Sequence, residues 1–113
     1  MEDIKGIVLY NIELEGNLNG VYTNNHSEMM ARIFTETARL TENALIENGT
    51  EVHIYDSFYF DAIDGRVNCT LTFRITNGIY NAEWRLLDEE NPLFIGEGFL
   101  MNERQIAISY RSV

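Results

Sequence analysis

The chain has 113 residues, with 18 acidic against 8 basic side chains, a formal net charge of −10 and one cysteine. That length fits a single domain, 1–113, and 45% apolar residues are enough for a core without disulfides or metals, since a chain of this size removes roughly 65% of its unfolded surface from water. The acid excess repels phosphate backbones and anionic lipid, so neither nucleic acid nor a membrane is an expected partner; its simplest role is to keep a small protein soluble.

No apolar run approaches the roughly 20 residues of a membrane span. The opening MEDIKGIVLY starts acidic and its apolar stretch is short, unlike a signal peptide, which points to the cytoplasm. Cys69 sits in an alternating apolar run and reads as a buried, inert thiol.

In chain order, residues 7–15 place Val8, Tyr10, Ile12 and Leu14 on one face, and a short β-rich run follows at Leu18–Thr23. Asn19-Gly20, Asn48-Gly49, Asp64-Gly65 and Asn77-Gly78 all tolerate positive φ and read as turns. Residues 28–47 fit two patterns. Met30, Ile33, Phe34, Thr37, Thr41, Ala44 and Leu45 make a helical stripe, with Ser27 and Gly49 as caps. Phe34, Glu36, Ala38 and Leu40 make a strand face, and the β-branched Ile33, Thr35, Thr37 and Thr41 favour that reading.

Residues 51–61 alternate Val52, Ile54, Phe58 and Phe60 against His53, Tyr55, Ser57 and Tyr59, and the first set reads as the inward face. Residues 66–76 alternate over their whole length, with Val67, Cys69, Leu71, Phe73 and Ile75 on one face. Asn77-Gly78 turns them into 79–87, where Tyr80, Ala82, Trp84 and Leu86 share a face. Residues 93–101 and 104–111 form a last pair, with Ile106, Ile108 and Tyr110 together. The expected fold is all-β, an antiparallel up-and-down meander barrel of about eight strands. The alternative is α+β, with one helix at 28–48 packed on a curved antiparallel sheet.

Asn17-Leu18-Asn19-Gly20-Val21-Tyr22-Thr23-Asn24 resembles the opening strand of calycin barrels, the group of lipocalins, fatty-acid-binding proteins and avidins. Ala82-Glu83-Trp84-Arg85, then Phe94-Ile95-Gly96-Glu97-Gly98, then Gln105-Ile106-Ala107-Ile108-Ser109-Tyr110 is similar to the last strands of an avidin-type barrel. The resemblance covers 17–111 in order and spacing and implies a barrel with a ligand cavity. It does not imply biotin binding, because an avidin-type site is walled by several tryptophans and this chain has only Trp84.

Three acids fall among apolar neighbours: Asp56 with Val52, Ile54, Phe58 and Phe60, Glu97 with Leu93, Ile95, Phe99 and Met101, and Glu36 if its segment is a strand. An inward carboxylate in a dry core is expensive unless it is paired or hydrogen-bonded. Two readings remain open. One is a polar cluster at the base of a cavity, with Tyr22, Asp56, Trp84, Glu97 and Tyr110 as candidate ligand-binding residues. The other is acids turned outward or paired with arginine. Gly96 and Gly98, flanking Glu97, mark a bend or a close backbone approach. Among the familiar nucleophile, phosphate-loop and zinc-ligand motifs none occurs, so no catalytic residue, metal or cofactor is expected. The expected function is non-catalytic binding of a small, mostly apolar ligand inside the barrel. The alternative is an acidic protein-interaction or homo-oligomeric module with a filled core.

Overall fold

The structure is a computed structural model that describes residues 3–26, 33–41, 45–61 and 64–113. Nine strands follow one another along the chain: β1 (Lys5–Ile12), β2 (Leu18–Asn24), β3 (Phe34–Leu40), β4 (Leu45–Glu47), β5 (Thr50–Asp61), β6 (Gly65–Thr76), β7 (Ile79–Leu86), β8 (Phe94–Asn102) and β9 (Gln105–Ser112). All pairings are antiparallel, in the order β3-β2-β1-β9-β8-β7-β6-β5-β4, and β3 also pairs with β5. That last pairing closes the sheet into an eight-stranded up-and-down barrel, with β4 as an extra short strand further along the same edge of β5. Closure removes the free edges that an open sheet of this size would expose.

The local chemistry of the turns explains the meander. Asn48-Gly49 joins β4 to β5 and Asn77-Gly78 joins β6 to β7, and both dipeptides have positive φ at each residue, as two-residue hairpins require. Asn19-Gly20 makes no turn: it lies within β2, because the chain reverses earlier, through the 3-10 turn Leu14–Gly16. The helical alternative for 28–48 fails over the described part of that segment, where 34–40 and 45–47 are strands. The rest of it, 28–32 and 42–44, lies outside the described residues. Among the described residues there is no α-helix, and no helix is long and apolar enough to cross a membrane.

Side-chain parity follows the partners of each strand. The apolar face of β6 points inward, with Cys69, Leu71 and Phe73 buried. In register with it, Tyr59 faces Val67, Ser57 faces Cys69, Tyr55 faces Leu71 and His53 faces Phe73. Cross-strand partners share a face, so β5 turns its His53, Tyr55, Ser57 and Tyr59 face into the barrel. The expected inward set is therefore corrected. Ile54 and Phe60 are exposed and Phe58 is only half-buried, with the Arg66 guanidinium 4.0 Å above its ring. Among that set Val52 alone is buried.

The interior divides into two halves. In one, Phe73 sits among Tyr10, Tyr55 and Tyr80 in edge-to-face contacts with ring centroids 5.4 to 5.8 Å apart. Leu18, Leu71, Ile106 and Ile108 are fully buried and complete a solid core. The other half holds a second set of rings around the pocket described next.

Candidate functional site

The pocket opens at the barrel end formed by the start of β1, the end of β2, the end of β5, the start of β8 and the end of β9. Its open space measures about 60 Å³. Ile4, Asn24 and Asp61 stand toward the mouth, Tyr22, Tyr59, Phe94 and Tyr110 form walls, and Val8, Glu36 and Trp84 close the inner side. The rings meet at steep angles: Tyr22 against Tyr59 at 88° and 6.0 Å, and Phe94 against Tyr110 at 86° and 5.6 Å. Trp84 lies 5.6 Å from Tyr110. Such edge-to-face contacts hold each ring in place as a wall.

Glu36 is the chemical centre. It is 4% exposed and accepts three donors from three different strands. Tyr10 Oη on β1 donates to Oε1 at 2.7 Å, and Ser57 Oγ on β5 donates to Oε2 at 2.7 Å. The Trp84 indole N–H on β7 is shared between the two oxygens, at 3.3 and 3.0 Å. Gly20 makes the first of these contacts possible. It is the cross-strand neighbour of both Tyr10 and Glu36, and a Cβ there would stand 2.7 Å from the Tyr10 ring. The missing side chain lets that ring lie across β2 and deliver its hydroxyl to β3.

Burial is the largest influence on Glu36 and raises its carboxyl above the ordinary 4.5, while the hydrogen bonds from Ser57, Tyr10 and Trp84 pull the other way. Tyr10 is pushed up by its own burial and by the adjacent carboxylate. Burial likewise raises Tyr22 and Tyr59, and takes Tyr110 to about 12, so these phenols stay neutral hydrogen-bonding groups. Two of their hydroxyls are anchored: Tyr22 donates to the Phe60 carbonyl, and Tyr110 donates to the Thr23 carbonyl while accepting from Asn24. Cys69 is buried and its thiol is pushed up to about 12, mainly by desolvation.

Of the five residues expected at a site, the structure brings three together and turns two away. Tyr22, Trp84 and Tyr110 line the same pocket. Asp56 and Glu97 are corrections: both are exposed on the outside of the barrel. Asp56 is carried outward with the rest of its face of β5. Glu97 sits opposite Asn81 and Ser109 on the outer face and pairs with Arg111 at 3.3 Å. On β8 the inward positions are Phe94, Gly96 and Gly98, and the glycines are there because Ile108 and the β9 backbone come too close for a Cβ. The glycines flanking Glu97 thus mark close packing of β9 on β8.

Tyr10, Ser57 and Tyr59 were not legible as site residues. The sequence signal for Glu36 was its place on an alternating face with Phe34, Ala38 and Leu40. Among the described residues no group of three or more histidine, cysteine or acidic side chains is arranged to hold a metal ion.

No protein-family model, no curated protein and no solved structure matches this chain. The eight-stranded antiparallel barrel is consistent with the architecture that the calycin resemblance implies.

Proposed function

We propose that the protein is a calycin-like barrel of the cytoplasm that binds a small ligand at one end of its interior, without catalysis. The observation that carries this reading is the half-filled interior. Rings plug one half of the barrel, while in the other they stand around an open pocket whose inner wall is a buried carboxylate. Mostly apolar walls with a few convergent polar groups are the usual composition of a small-molecule site. At about 60 Å³ the space is well below the roughly 300–1,000 Å³ of sites for drug-sized molecules, so it suits only a small ligand. Ser57 and Tyr10 both donate hydrogen bonds to Glu36, which holds its carboxylate in place at the inner end of the pocket.

Trp84 is the single tryptophan and lines the pocket, so its fluorescence and its indole N–H resonance report on this site directly. Titration with a panel of small amines, alcohols and acids should give a saturable shift for at least one class. A panel that leaves Trp84 unmoved throughout would show the interior to be only a core.

A second reading rests on the outer surface. Val21, Leu9, Ala107 and Phe99 are consecutive cross-strand partners over β2, β1, β9 and β8. They form an outward apolar row in which Val21 is 45% and Phe99 56% exposed. Such a row suits self-association. Sedimentation velocity over a wide concentration range tests it, and an unchanging monomer would remove it.

A further inference from the structure

The ligand-binding reading leaves the ligand class open, and the surroundings of Glu36 narrow it. Every hydrogen-bond partner of this carboxylate is neutral: a phenol, a hydroxyl and an indole. The ion pairs among the described residues, His53–Glu51, Arg74–Glu83, Arg85–Glu83 and Arg111–Glu97, do not involve it. No positive group thus stands beside Glu36 among the described residues. Three neutral donors offset part of the cost of burying this carboxylate, and a counter-charge would offset more of it.

Tyr10, Ser57 and Trp84 donate two hydrogen bonds to each oxygen of Glu36, and none of the three brings a charge. The carboxylate also forms part of the pocket wall. Around the same space stand the rings of Tyr22, Tyr59, Trp84 and Tyr110. Aromatic faces carry partial negative charge and attract cations, most strongly where water is excluded. A net charge of −10 also draws cations and repels anions from a distance.

We propose that the pocket receives the protonated amino group of a small amine, with Glu36 as its charge partner and the surrounding tyrosine and tryptophan rings as a cation-binding wall. This inference rests on the ligand-binding reading above. It excludes carboxylates and phosphates as preferred ligands and ranks an isosteric alcohol well below the amine.

The test uses three probes of matched shape, n-propylammonium, propan-1-ol and propionate, at constant ionic strength near neutral pH, read by Trp84 fluorescence and the Trp84 indole N–H resonance. We expect n-propylammonium to bind at least tenfold more tightly than propan-1-ol and propionate to give no saturable shift. In Glu36→Gln the amine should lose most of that advantage while the alcohol is unchanged. Tyr59→Leu, which keeps the carboxylate and removes one ring, should weaken the amine severalfold and the alcohol little; it serves equally if the Gln variant does not fold. Equal binding of amine and alcohol in the wild-type protein overturns the amine proposal and leaves the ligand-binding reading standing. No shift with any of the three probes overturns both.

Discussion

Glu36→Gln should change how stability depends on pH, and the structure gives the sign. The carboxyl is raised in the folded protein above its ordinary 4.5, first of all by burial. The folded state therefore holds the proton more tightly than the unfolded chain does. The stability that comes from protonated Glu36 is fully present below about pH 4.5 and is lost as pH rises through the folded value. Across that window the slope approaches about 1.4 kcal/mol per pH unit for one proton, and above it the curve is flat. Glutamine keeps the shape and has no proton to lose, so the stability of Glu36→Gln relative to wild type should climb with pH over the same window. The groups facing Glu36 from neighbouring strands do not confuse the result. Tyr10, Tyr22, Tyr59, Cys69 and Tyr110 are all pushed upward, away from the acid range. For 113 residues, an unfolding entropy of roughly 2.1 cal/mol/K per residue makes each kcal/mol worth about 4 °C in Tm. The assay is thermal and urea unfolding of both proteins from about pH 4, just under the ordinary glutamate value, to about pH 8, well above it. Parallel curves for the two proteins would refute the reasoning, because they would mean that the three donors cancel the cost of burying the charge.

Three further outcomes are expected. Gly98→Ala should cost about 2–3 kcal/mol in urea unfolding, the range for overpacking, because the new Cβ meets the Ala107 carbonyl and the end of Ile108; a loss below about 0.5 kcal/mol, the usual size of a surface change, would mean that β8 and β9 are not packed this closely. Glu97→Leu and Asp56→Asn should each leave stability within about 1 kcal/mol of wild type, since Glu97 and Arg111 are both near half exposed and exposed pairs contribute little; a larger loss in either would place that acid inside. Cys69 should resist iodoacetamide in the native protein near pH 8, within the range where an ordinary free thiol reacts, and label once the chain is unfolded, because its thiol is buried and pushed up to about 12; rapid native labelling, read by mass spectrometry, would contradict that burial.

The residues that revealed the barrel are those whose local chemistry admits one answer. β6 alternates without interruption, Asn77-Gly78 can take the positive φ of a two-residue hairpin, and Ile106, Ile108 and Tyr110 share a face whatever surrounds them. Tyr22, Trp84 and Tyr110 line one pocket because each shares a face with the buried side chains of its strand. Pattern was weaker for β3, where helical and strand spacing coincide, and that obscured Glu36 as the centre of the site.

Period-2 alternation and turn chemistry act over a few residues, so the amino-acid sequence made the antiparallel hairpins of the C-terminal two thirds legible and left residues 28–48 open between strand and helix. It could not decide β5 or β8. Both faces of β5 carry aromatic rings, and on β8 the larger side chains occupy the face that ends up outside. Only pairing with the unambiguous faces of β6, β7 and β9 fixed which side of each strand enters the barrel. That choice sent Asp56 and Glu97 to the surface and brought Ser57 and Tyr59 inward. Tyr10, Ser57 and Trp84 converge on Glu36 from three strands far apart in sequence, a meeting that exists only once the sheet has closed.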